Sequence, residues 1–217
     1  MSMTRDARMM GVRSMIRFRT ALPTLIVVDV VLALAAARMP RFPGDPQLAL
    51  AIQRFAPMPI PLAQAITTSA LMPWCFVLLA ATIALAWIIS GWRGAAAAVV
   101  IFFGLWLLGI WLSPMFAQPR PKPELINVIG HPKGYAFPSI FGLIYGATFG
   151  YAGVLALARL RGAARTVVCV VALFFLLAGI DARVVLGAHW PSDLLASYFF
   201  ALTLMLALLP FVGPSDA

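Results

Sequence analysis

The chain has 217 residues, 63% of them hydrophobic and 11% charged, and its mean hydropathy is +0.97. A chain this short cannot enclose that much apolar surface in a soluble core, whereas a bilayer accepts it unenclosed; soluble enzymes and disordered tails are excluded in favour of an integral membrane protein. The formal net charge of +9 comes from 16 basic residues scattered through short loops, a pattern that suits anionic lipid headgroups and not nucleic acid, which is recognised by a continuous patch or stripe.

A spanning helix needs about 20 mostly apolar residues. Six stretches meet or approach that length: 21–37, 68–90, 94–112, 136–158, 165–181 and 190–212. The expected fold is all-α, a polytopic membrane bundle of six transmembrane helices. One membrane domain covers 21–212, after a basic cytoplasmic segment 1–20 and before a short tail 213–217. The basic start followed by an apolar run resembles a secretory signal, with Ala35-Ala36-Ala37 as a small-residue exit. Its basic region is long for a signal, so the run reads as a retained first span.

Residues 45–55, DPQLALAIQRF, read as a short amphipathic helix at the interface, capped by Asp45 and serving as an anchor. Between the third and fourth spans, Ser113 to Tyr135 contains PRPKP and GHPKG, whose prolines exclude regular helix. On the fourth span Gly142, Gly146 and Gly150 recur every four residues, a small-residue stripe for close helix packing. Two cysteines, Cys75 and Cys169, lie in apolar stretches, and the only histidines are His131 and His189. Neither a disulfide framework nor a metal centre is expected, and no cofactor is implied.

Lys and Arg set orientation. With the N-terminus in the cytoplasm, nine fall on inner segments and seven on outer ones, the latter including Arg120, Lys133 and Arg183. The bias is small because some outer charges have a chemical reason to be there. Six spans bring the loop after the third helix, the start of the fourth and the loop between the fifth and sixth to one outer face of an inner or plasma membrane. Those segments carry Arg120, Ser139, Arg183, His189 and Asp193. Two guanidiniums match phosphate oxygens, a serine at a helix start adds a hydroxyl beside free N–H groups, and the histidine can be nucleophile or base. Asp193, four residues after His189, is placed to accept its Nδ1–H, fix the tautomer and stabilise positive charge on the ring. The set reads as a phosphate cradle.

These residues resemble the type 2 phosphatidic acid phosphatases (PAP2), integral membrane lipid phosphatases that share a helical core with vanadium haloperoxidases. That family carries Lys, six residues, Arg-Pro; then Pro-Ser-Gly-His; then Ser-Arg, five residues, His, three residues, Asp. Here Arg120-Pro121, Pro138-Ser139, and Arg183, five residues, His189, three residues, Asp193 occur in the same order over a resemblance that covers about residues 45–210. The resemblance implies that His189 is the nucleophile forming a phosphohistidine, that Asp193 orients it, and that Arg120, Ser139 and Arg183 bind phosphate, with no metal. The partners implied are membrane lipids and a phosphorylated lipid substrate.

Three positions depart from the motifs. Ser113 stands where the lysine is expected, Ala182 where the serine precedes Arg183, and Phe141 where the second motif has its histidine. That histidine resembles a general acid for the departing alkoxide, a role worth about 10²–10⁴-fold. Two remedies exist. His131 and Lys133, in GHPKG, could supply an acid and a cation. Alternatively the leaving group needs no acid: an alkoxide's conjugate acid has a pKa near water's ~15.7, whereas a phosphate monoester leaves with a second pKa of about 6. The second remedy favours a polyprenyl diphosphate or similar lipid diphosphate. The competing expectation is a catalytically impaired relative that binds, scaffolds or moves phospholipids without turnover.

Overall fold

The computed structural model describes residues 21–130 and 132–213, whose regular elements are all helical. The expected segment 1–20, residues 214–217 of the tail and His131 lie outside the described residues. Helix α1 (Ala21–Ala36) precedes two short helices, α2 (Asp45–Phe55) and α3 (Ile60–Ser69). Then come α4 (Trp74–Phe116), α5 (Ile140–Tyr145), a π-helical turn (Gly146–Gly150), α6 (Tyr151–Arg159), α7 (Gly162–Val185) and α8 (Pro191–Leu208). Four helical units are long and apolar enough to cross a membrane: α4, α5 through α6, α7, and α8 with the 3-10 turn after it. On α7, Val167, Val170, Phe174 and Leu177 are all exposed, an apolar surface for lipid. The chain is an integral membrane protein.

Although α4 is a single hydrogen-bonded run of 43 residues, it is two antiparallel legs. Ser90 and Gly91 leave the helical region, and Gly91 takes φ 63° and ψ −160°, a conformation open to glycine alone. Phe76 and Phe102 are 26 positions apart, about 39 Å along a straight helix, yet their rings lie 6.3 Å apart. The turn therefore reverses the chain, and the two legs correspond to the second and third expected stretches.

Several boundaries differ from the sequence reading. The second stretch begins at Trp74 and not at 68, with Pro73 as the N-cap of α4. Residues 60–69 form the separate helix α3, of which the expected stretch takes in only 68 and 69; ten residues are too few for a span, and the sequence reading assigns no element to 60–67. The third stretch runs through Pro114 to Phe116, so the first residues of the expected irregular loop are helical. A proline in a last turn removes one bond only, and Ala117 N–H still closes on Ser113 O at 3.1 Å. The fourth begins at Ile140 and not at 136: Pro138 excludes its predecessor from helix, and Ser139 caps the start, its Oγ accepting Gly142 N–H at 3.2 Å.

Helix α2 has the expected bounds, but Gly44 is its N-cap and Asp45 does not cap its own helix. The Asp45 carboxylate accepts the Phe42 N–H at 3.0 Å and, from the start of α8, the Ser192 N–H at 3.2 Å and hydroxyl at 2.6 Å. The glycine stripe packs on α8. A Cβ at Gly142 would lie 2.9 Å from Ser197 Cβ, and one at Gly146 would lie 2.6 Å from Ala201 Cβ. Neither position admits a side chain while the helices stay this close. The ends of α1 and α7, the starts of α5 and α8, and the loop 117–138 all meet at one end of the bundle.

Candidate active site

Between α7 and α8 lies a tight turn whose shape depends on Gly187. Its φ is 63°, and a Cβ there would strike the Asn127 carbonyl and come within 2.7 Å of Val128 Cα. Glycine thus lets the turn press onto the loop after α4, and Ile129 N–H bonds Leu186 O at 3.0 Å. Pinned in this way, the loop delivers Arg120. Its Nε donates to Lys133 O at 3.0 Å, and its Nη1 donates to Ala188 O and lies 3.0 Å from His189 Nε2.

His189 is 2% exposed. Its Nδ1–H donates to the Ala136 carbonyl at 2.9 Å, which leaves Nε2 as the lone-pair nitrogen. Ser139 Oγ stands 3.3 Å from that Nε2. Burial, with the positive charges of Arg183 and Arg120, holds the imidazole pKa well below the ordinary histidine value. The ring is neutral. Asp193 Oδ2 lies 3.5 Å from Nδ1, beyond a good hydrogen bond, and accepts the Trp190 N–H at 2.9 Å. The nearer acceptor for Nδ1–H is thus a backbone carbonyl, with the carboxylate of Asp193 just behind it. Burial draws the Arg120 guanidinium below its usual range while Asp193 opposes that shift; Arg120 remains cationic.

Arg183 is held differently. Its Nη1 reaches Thr67 Oγ1 of α3 at 3.4 Å, its guanidinium carbon lies 5.3 Å from the centroid of the Phe141 ring, and its Nε is buried without a partner. Phe141, at the position of the expected acid, carries no proton to give. Ser139 N–H donates to Ser197 Oγ at 2.9 Å, and Ser197 Oγ donates to Asp193 O at 2.6 Å, so the starts of α5 and α8 are tied together.

Arg120, Ser139, His189 and Asp193 are therefore brought together, with Arg183 close enough for its charge to bear on the imidazole. Lys133 contributes its carbonyl to Arg120, while the residue itself is exposed. His131 lies outside the described residues. Sequence reasoning missed Thr67, Ser197, Gly187, the Ala136 carbonyl and Gln53, whose side chain bonds Asn127 O and Val184 O beside the site. Gly187 was within reach, since a glycine in the spacer between Arg183 and His189 signals a turn; a main-chain acceptor leaves no trace in side-chain patterns. Among the described residues no three His, Cys, Asp or Glu side chains gather as metal ligands would.

No family model matches the sequence, and no curated protein matches it. Among solved structures the chain is similar to a transmembrane PAP2 type phosphatidylglycerolphosphate phosphatase from Bacillus subtilis. The identity is 18% and the TM-score 0.66, over 88% of this chain and 94% of the other. At that identity the likeness concerns architecture, and it agrees with the resemblance carried by the three motifs. The chain has the fold of a transmembrane PAP2 type phosphatase.

Proposed function

We propose that the protein is a membrane phosphatase acting on a lipid phosphate or diphosphate through a phosphohistidine. The observation that carries this reading is the neutral, lone-pair Nε2 of His189, flanked by Arg120 Nη1 at 3.0 Å and Ser139 Oγ at 3.3 Å. In the free enzyme these donors occupy the lone pair. A phosphoryl group entering the cradle takes them over and frees Nε2 to attack phosphorus in line. The N–P bond forms as the P–O bond to the leaving group breaks, and Arg120 and Arg183 hold the oxygens on which charge develops. Water then attacks phosphorus, the N–P bond breaks, the water's protons pass to solvent and phosphate, and neutral His189 returns. Asp193 and the Ala136 carbonyl stabilise the ring while it carries positive charge.

Phe141 supports a diphosphate, whose leaving group needs no proton, over an alkyl monophosphate. The polyprenyl diphosphate-like substrate belongs to the same reading, as does independence of metal ions. Six spans, counting α1 and both legs of α4, belong to the same reading, and the excess of positive charge on the inner segments supports a cytoplasmic N-terminus with the site on the outer face.

The test is phosphate release by the purified protein from a panel of lipid phosphates and diphosphates. We expect release that is fastest from diphosphates, unchanged by EDTA and inhibited by vanadate, which mimics the five-coordinate phosphoryl centre. No release from any member overturns the phosphatase reading. Loss in EDTA restored by a divalent cation overturns the metal-free mechanism.

A further inference from the structure

Phe141 does more than fail to be an acid. Its ring stacks on Tyr145 with centroids 4.2 Å apart and planes at 28°, and the Arg183 guanidinium carbon lies 5.3 Å from the Phe141 centroid. The distance is within cation–π range, and a desolvated guanidinium gains most from such a face. Tyr145 is anchored in turn: its hydroxyl lies 2.7 Å from Ser69 Oγ and 3.2 Å from the Ile66 carbonyl, both on α3. The same helix supplies Thr67 Oγ1 to Arg183. Gly179, one turn before Arg183 on α7, opens the space the rings fill. A Cβ there would sit 2.9 Å from Tyr145 Cδ1 and 3.1 Å from Phe141 Cε1.

We infer that Phe141 and Tyr145 are positioning residues: a two-ring platform, braced by α3 and admitted by Gly179, that fixes the Arg183 guanidinium for an oxyanion. The substitution that removes a proton donor thereby gives Arg183 a defined seat with few directional bonds of its own. Its long Thr67 contact and unpartnered Nε fix it poorly by themselves. The inference rests on the reading of Arg183 as a phosphate ligand, and its test separates the two.

The experiment uses the full chain in detergent or nanodiscs and follows the arginine Nε–H signals by NMR, with Arg183→Lys identifying the Arg183 signal, and measures orthovanadate binding on the same samples. In the parent protein the Arg183 Nε–H should carry a ring-current shift. Phe141→Leu should remove that shift and weaken vanadate binding about ten-fold. Phe141→Tyr, which keeps a ring face, should retain both. Gly179→Ala, which alters neither ring nor arginine and favours helix, should reproduce part of the loss by displacing the rings. An unchanged Arg183 signal and vanadate affinity in Phe141→Leu overturn the platform; if that variant does not fold, unchanged values in Gly179→Ala do the same. A parent protein that binds vanadate but hydrolyses no lipid phosphate overturns the phosphatase reading and leaves the platform standing. If the parent binds no vanadate, the phosphate-ligand reading of Arg183 fails and with it the platform's purpose.

Discussion

Arg120 and Arg183 both bear on His189, but their surroundings differ in kind: directional acceptors orient one, and an aromatic face with a single long hydroxyl contact seats the other. Arg120 donates to the Lys133 and Ala188 carbonyls and meets the imidazole, so its orientation is set before any ligand arrives. Arg183 keeps an unpartnered Nε over an undirected surface. A guanidinium fixed by carbonyls meets a phosphate oxygen in one set orientation, whereas one resting on a ring can turn on that face to meet it. The first keeps the nucleophile in register; the second is the more open anion ligand.

The strongest way to break this pairing is to remove what both arginines serve. His189→Asn should lower phosphate release from any substrate by about 10⁴-fold, the scale on which loss of a nucleophile is felt, while vanadate binding through the arginines persists. The same histidine sets the acid limb of the pH profile. Attack needs the neutral ring, and its pKa is held below the ordinary value. Lowering the pH from 7.5 to 6 should therefore leave kcat/KM nearly flat instead of halving it near the unperturbed ~6.5. Linkage runs the other way for stability. Below ~6.5 the unfolded chain takes up a proton that the folded site refuses, so the folded state loses stability as pH falls. An acid limb at or above 6.5 would show that burial and the two arginines do not depress the ring.

A smaller effect sharpens the contrast on the Phe141 side. Phe141→His restores a group able to protonate a departing alkoxide and replaces the ring on which Arg183 rests. Alkyl monophosphates should gain about ten-fold, part of what a well-placed general acid supplies, while diphosphates gain nothing or slow slightly. The ratio between the two classes is the measurement. Equal rates across leaving groups in the parent would mean that proton transfer to the leaving oxygen is not limiting.

Much of this site was legible because its chemistry is carried by side chains at fixed spacing. The interval from Arg183 to His189 to Asp193 places them on a helix end, a turn and a helix start, and the glycine stripe declares a tight helix contact. The features that were not legible are of two kinds. Backbone groups such as the Ala136 and Ala188 carbonyls have no residue-type signature, and so the acceptor for His189 was assigned to Asp193 alone. Helix α3 was lost because its ten residues are too few to read as a span and all but the last two precede the expected stretch, and with it went Thr67, which with Ser69 reaches the Arg183 side of the site. The hairpin within α4 was legible because glycine and hydropathy agree there.

The mildest perturbation lies outside the chamber, in the side chain that sets the spacing between the two arginine-bearing segments. Gln53 of α2 donates from Nε2 to Asn127 O at 2.8 Å and to Val184 O at 2.9 Å, and its Oε1 accepts the Asn127 N–H at 3.1 Å. Asn127 belongs to the loop that carries Arg120, and Val184 adjoins Arg183, so one amide spans both. These bonds are partly exposed, and each is worth about 0.5–1.5 kcal/mol net. Gln53→Ala should therefore weaken vanadate binding and lower kcat/KM by only about three- to ten-fold, because the directional bonds on Arg120 and the platform under Arg183 remain. Gln53→Glu should be worse than alanine despite its closer shape: a carboxylate oxygen would replace the donor that faces two carbonyls, turning two attractions into repulsions. If alanine lowers thermal stability but leaves vanadate affinity untouched, Gln53 is a fastener of the outer helices alone. If glutamate proves milder than alanine, the amide's donors do not hold the two segments, and their spacing is set by the Gly187 turn.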